Sequence, residues 1–135
     1  MKNKANNKEK GNLGESIACK YLIKNGFEIT ERNYWQKCGE IDIIAKNKGL
    51  IHFIEVKSVS KEIKMDSVTY ETSDHYRPED NLHTWKLERL RKTIQVYLAE
   101  KSVSDETNWQ FDVITVYFDE KRLISKVFML ENIIL

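Results

Sequence analysis

Glu40, Asp42, Glu55 and Lys57 are charged residues set inside two apolar runs, GEIDIIAKN (39–47) and LIHFIEVKSV (50–59). Both runs read as strands, about 40–46 and 50–58, and strands this apolar belong in a core. Side chains alternate along a strand, so Glu40 shares a face with Asp42, and Glu55 with Lys57. A two-residue turn at Lys48–Gly49 sets Asn47 opposite Leu50. Counting back puts Asp42 opposite Glu55 and Glu40 opposite Lys57, with Ile41–Val56 and Ile43–Ile54 on the other, apolar face. Opposed Cβ atoms lie roughly 4.5–5.5 Å apart. Two carboxylates that close repel; they share a proton or hold a divalent cation between them. Magnesium binds oxygen at about 2.1 Å, needs only one or two carboxylates and keeps waters for chemistry. The Val56 carbonyl is a further candidate ligand, and Lys57 offsets charge, orients a water or meets a phosphate. These residue types suit metal-assisted phosphodiester hydrolysis. Two readings compete. The charges could form cross-strand ion pairs on a wet face, or a turn over Asn47–Gly49 could shift the pairing by one and separate the acids.

Other elements must position this hairpin. Residues 1–10 read as a flexible basic arm, with four lysines against one glutamate, ahead of a single domain over 11–135. NLGESIACKYLIKN predicts a helix over 12–25 with a stripe of Leu13, Ile17, Ala18, Tyr21 and Leu22, capped by Asn12 and stopped by Gly26. A strand follows over 27–35, then a turn at QKCG. A second helix over about 81–99 has Leu82, Trp85, Leu90, Ile94, Tyr97 and Leu98 as its apolar face, with Asp80 or Asn81 as cap. The long segment between, 59–81, has room for a short strand or helix around 63–71. NWQFDVITVYF and LISKVFMLENII close the chain as a hairpin turned at DEKR. Two helices and five strands predict an α/β sandwich with a central mixed sheet.

The chain has 135 residues, 41% hydrophobic and 32% charged, with a net charge of +1. That composition fits one globular domain. No stretch of 18 apolar residues and no leader-like stretch occurs, so a cytoplasmic location is the default expectation, without membrane contact. Cys19 and Cys38 lack the spacing of a zinc site and read as free thiols.

The four segments GNLGESIACKYLIKNGFEITERNYW, GEIDIIAKNKGLIHFIEVKSV, KLERLRKTIQVYLA and FDVITV, in this order, resemble the YraN-like family of the PD-(D/E)xK nuclease superfamily. The GEID, twelve residues, then EVK resembles that superfamily's signature. The resemblance implies a restriction-endonuclease-like fold, similar to archaeal Holliday-junction resolvases, and a DNA substrate, branched or structured. It implies magnesium or manganese held by Asp42 and Glu55, Lys57 as the signature lysine, and Glu15 as the helix glutamate that completes many such sites. A homodimer would suit two-strand cleavage. Three positions depart from the pattern: Ile41 replaces the signature proline, Ser58 and Val59 stand where an arginine is usual, and Gln110 replaces an arginine before FD.

Lys86, Arg89 and Lys92 recur at three-residue spacing and are candidates for phosphate contacts beside the site. His52, opposite Ala45, reads as part of the sheet's second face, and Asp112 as a structural cap or pair. Trp35, Trp85 and Trp109 read as core. His75, Tyr76 and Arg77 beside Pro78 sit in a long loop that could clamp substrate or be poorly ordered, and His83 could reach the site from the second helix's first turn, though nothing requires it. The leading expectation is a metal-dependent DNA nuclease. The alternatives are a nucleic-acid-binding module with little hydrolytic activity, and a protein-interaction or assembly factor with a vestigial site.

Overall fold

A computed structural model describes residues 4–63 and 84–135. Helix α1 (Lys4–Lys24) leads into β1 (Glu28–Gln36), β2 (Gly39–Asn47) and β3 (Leu50–Ser60). Helix α2 (Thr84–Glu100) follows, then β4 (Trp109–Asp119) and β5 (Ile124–Leu130). The strands form one sheet in the order β1-β2-β3-β4-β5. Neighbours are antiparallel except β3 and β4, which run parallel. A parallel pair needs a long crossover, and α2 lies in it.

The helices cover opposite faces of this mixed α/β sheet. Ala18 and Leu22 of α1 pack with Ile43, Ala45, Ile54, Ile114 and Val116. Leu90, Ile94 and Tyr97 of α2 pack with Ile44, Ile51, Phe53, Phe111 and Val113. Helix α1 stops at Gly26, whose φ of 90° lets Phe27 N–H reach back to the Leu22 carbonyl at 2.9 Å.

Four expectations need correction. The helix begins at Lys4 rather than residue 12, so residues 4–10 are helical; Lys, Ala and Glu favour helix, and no proline interrupts them. Its buried stripe runs Gly14, Ala18, Leu22 at four-residue spacing, and Leu13 is left exposed. Trp35, on the edge strand β1, and Trp85 are exposed, 66% and 58%; α2 turns Leu90, Thr93, Ile94 and Tyr97 inward instead of Trp85, and of the three tryptophans only Trp109 packs on the core. The predicted apolar partnership of Ile41 with Ile43 also fails, for a reason given below. Readings that fell on 64–83, including the short element near 63–71, His75, Tyr76, Arg77, Pro78, His83, Leu82 and the α2 cap, lie outside the described residues.

The hairpin register is the expected one. Lys48 and Gly49 both take positive φ, 52° and 80°, as a two-residue turn matched to the strands' twist requires. Asn47 then faces Leu50, and pairing runs through Ala45–His52 to Ile43–Ile54. The three-residue turn is therefore excluded.

Candidate metal centre

Helix α1 brings Glu15 to the sheet through its neighbour Gly14. A Cβ built on Gly14 would collide with the Ser58 hydroxyl and lie 3.3 Å from Ser58 Cβ. Only a residue without a side chain allows α1 this close to β3, one position past Lys57. Small Ser58 at the site of the usual arginine is the other half of that contact. Glu15 thus arrives over β1 and β3 with 15% of its side chain exposed, its Oε1 3.6 Å from Arg32 Nη2.

Asp42 sits where β2 leaves β3. The ladder between them ends at Ile43–Ile54, one position before Asp42 would face Glu55. Beyond that point the alternation of β2 slips. Ile43 packs under α1, but Ile41 packs under α2 with Tyr34, its partner on β1. The slip lies beside Asn33 of β1, whose φ is 53°. Asp42 occupies the slipped position. Its Oδ2 accepts the Val56 N–H at 2.8 Å, a donor that the departed strand no longer reaches. A strand residue sends its N–H and C=O to the same side, so the Val56 carbonyl also leaves toward the gap.

Glu55 and Lys57 point to the α2 face, in step with Phe53 and Ile51. The expected Glu40–Lys57 pair does not form, because β2 has diverged; Glu40 is exposed and pairs with Trp35 on β1. Lys57 Nζ instead meets Glu55 Oε1 at 3.3 Å. Lys86 Nζ meets the same oxygen at 2.7 Å. Lys86 was read as one of three phosphate contacts, but a helix turns 100° per residue, so Lys86, Arg89 and Lys92 fan apart. Lys86 falls on the stripe of Leu90, Thr93 and Tyr97 and comes down on the sheet. Arg89 and Lys92 stay exposed. Arg89 donates through Nε to the Cys38 carbonyl at 3.2 Å and lies 5.6 Å from the Trp85 ring centre.

The charge balance is uneven. Burial pushes the Asp42 carboxyl up to about 7; Glu15, Glu55 and Glu40 add to the rise, against the Val56 N–H. Burial, then Lys86 beside it, holds Lys57 below the usual ammonium range, against the pull of Glu55. Burial works the same way on Lys86, but its ion pair with Glu55 outweighs it and the net shift is upward. Glu55 Oε2 and Glu15 Oε1 are buried and have no hydrogen-bond partner among the described residues. Thr115 Oγ1, beside Lys57 across the β3–β4 ladder, shares that state. Buried polar atoms are rarely left so. Carboxylate and carbonyl oxygens such as those of Asp42, Glu55 and Val56 are the donor types a hard divalent cation takes, but Glu15, Asp42 and Glu55 do not form a group with ligand atoms within 4.8 Å of one another.

A second group of ligand types lies apart from this one. His52 Nδ1–H donates to Asp112 Oδ2 at 2.6 Å, and Asp112 Oδ1 accepts from Gln110 Nε2 and Asn132 N–H, each at 2.8 Å. With Glu131, ligand atoms of His52 and Asp112 lie within 4.8 Å of one another, so this cluster could hold a metal. Its buried members are paired, which agrees with a structural Asp112 and explains Gln110 at an arginine position.

The model of the uncharacterised protein family UPF0102 matches residues 14–116. The chain belongs to the UPF0102 family. A UPF0102 protein of Campylobacter fetus subsp. fetus is 40% identical over 117 residues, covering 87% of this chain and 91% of the relative. One of Campylobacter lari is 41% identical over the same share of each, and one of Campylobacter hominis is 40% identical over 113 residues, 84% and 88%. The UPF0102 segment contains Glu15, Asp42, Glu55, Lys57 and Lys86. Sequence reading placed Lys86 beside the site as a phosphate contact but not in an ion pair with Glu55; its spacing to Leu90, Thr93 and Tyr97 was the available signal.

Proposed function

We propose that this UPF0102 protein is a metal-dependent nuclease of the PD-(D/E)xK superfamily, with the restriction-endonuclease-like fold, acting on DNA phosphodiester bonds. The observation that carries the reading is Asp42, whose carboxyl burial and the neighbouring Glu15, Glu55 and Glu40 push up to about 7, beside a Glu55 whose Oε2 is buried without a hydrogen-bond partner and whose Oε1 meets Lys57. Asp42, Glu55 and the Val56 carbonyl would hold magnesium or manganese, and Glu15 would position ion or water. The ion supplies a Lewis acid for the phosphate and an acidified water. Lys57 places an ammonium beside Glu55, where charge builds on the phosphate. Asp42 gives up its proton for the centre to load. Arg89 and Lys92, on the exposed side of α2, suit backbone phosphates of a duplex beside the site.

A second reading, a nucleic-acid-binding module with little hydrolysis, is favoured by one feature: two ammoniums already occupy Glu55 Oε1. The test is a screen of linear, flapped and four-way DNA with magnesium or manganese, beside Glu55→Ala and Lys57→Ala. Metal-dependent cutting lost by at least a hundredfold in both variants supports the nuclease. Salt-sensitive binding without cutting supports the module. Equal cutting by parent and variants refutes this centre. Preferential cutting of four-way DNA by a species sedimenting as a dimer would place the activity on branched substrates.

A further inference from the structure

The two oxygens of Glu55 meet different surroundings. Oε1 is held by Lys86 at 2.7 Å and Lys57 at 3.3 Å. Oε2 is buried and has no hydrogen-bond partner among the described residues. The contrast comes from the fold: α2 stands on Glu55's face and delivers Lys86 to one oxygen only.

We infer that Lys86 is a positioning residue that closes Glu55 Oε1 with a fixed ammonium, so that the centre takes a single divalent ion through Oε2. The inference rests on the metal-centre reading above. A centre with two ions holds them about 3.5–4 Å apart and needs carboxylate oxygens for both. Here the oxygen that would serve a second ion carries an ammonium anchored on a helix. The first turn of α2 has no acidic residue, so no carboxylate there competes for Lys86. Its stem lies on the buried stripe that ends in Leu90, Thr93 and Tyr97, and only 29% of the side chain is exposed. A second cation would have to displace Lys86 from a contact that helix packing maintains. Lys57 meets the same oxygen from β3 at the longer distance of 3.3 Å.

The role differs from a phosphate contact in what it predicts for metal alone. A fixed positive charge a few ångströms from a cation site opposes loading, and its removal tightens that site. Manganese titration of the full chain, read by electron paramagnetic resonance and by calorimetry without DNA, separates the cases. The parent and Lys86→Arg are expected to bind one ion, with affinities within about twofold of each other. Lys86→Met, which keeps an apolar stem, is expected to bind its first ion about tenfold tighter. Near-parent thermal midpoints for both variants establish that they fold. Two ions bound to the parent and both lost with Glu55→Ala, or unchanged or weaker binding by Lys86→Met, overturn the assignment while leaving the metal centre standing. A parent that binds no manganese at millimolar supply removes the metal centre itself.

Discussion

Asp42→Asn isolates the electrostatic strain at the centre. The amide keeps an oxygen to accept the Val56 N–H and removes the charge. In the unfolded chain Asp42 ionises near its ordinary value of 3.8; in the folded chain it holds its proton to about 7. Between those values the folded state binds more protons than the unfolded state, so stability falls as pH rises through the window and stays reduced above it. The interval sets an upper bound of ~4 kcal/mol on the effect. Asp42 is only partly buried, and solvent screening reduces this to roughly 1–2 kcal/mol. Metal-free Asp42→Asn should therefore match the parent near pH 4 and exceed its melting midpoint by about 4–7 °C at pH 8.

Magnesium should reverse the order. At ten times its dissociation constant a ligand adds ~1.4 kcal/mol to the state that binds it. The parent should gain this at pH 8, and the variant should lose most of it. The assay is thermal unfolding at pH 4.5, 6 and 8, with and without magnesium. A parent–variant difference that stays constant across pH, or an amide variant less stable than the parent at pH 8 without metal, refutes the reasoning.

Gly14→Ala should destabilise the fold by about 1–3 kcal/mol through its clash with Ser58, despite alanine's better helix propensity. Combining it with Ser58→Gly should recover part of that loss, read from a double-mutant cycle of denaturation midpoints. Asp112→Ala should cost about 3–5 kcal/mol by urea unfolding, since His52 and Asn132 N–H lose their acceptor and Gln110 keeps only the longer contact to Glu131. Magnesium binding at the Glu55 centre should be unchanged. Arg89→Ala and Lys92→Ala should each lower the salt dependence of DNA binding by about one phosphate contact, measured as the slope of log affinity against log salt.

The hairpin was legible because two independent signals agree on it. Gly49 beside Lys48 permits the left-handed turn, and the apolar alternation is satisfied by one register only. The faces near Asp42 were not legible by the same rule. Period-two reading assumes an unbroken pleat, and the slip opposite Asn33 is a backbone event that no side-chain pattern announces. Lys86 escaped for a related reason. Three-residue spacing grouped it with Arg89 and Lys92, whereas the phase of α2 against the sheet decides which of them turns inward. The tryptophans show the converse error: Trp85 is apolar by type, but the burying stripe of α2 runs through Leu90, Thr93, Ile94 and Tyr97 and leaves it outside.

The acids' placement has a physical logic that a purely structural role does not supply. An ordinary sheet would continue the β2–β3 ladder past Ile43–Ile54 and satisfy Val56 N–H with main chain. Here the strands part, and an aspartate side chain takes that donor. The substitution adds a carboxylate to a spot already facing Glu15, Glu55 and Glu40, which raises the cost of ionising it. Cations in the neighbourhood do not relieve this evenly. Lys57 and Lys86 both spend their charge on one oxygen of Glu55 and Arg32 lies 3.6 Å from Glu15 Oε1, while Glu55 Oε2 remains buried with no hydrogen-bond partner among the described residues. A donor facing that Glu55 oxygen would lower the free energy of a purely structural pair. Under the proposed reading a divalent cation would meet it, would draw the proton from Asp42, and would find the Val56 carbonyl on the open side of the fork.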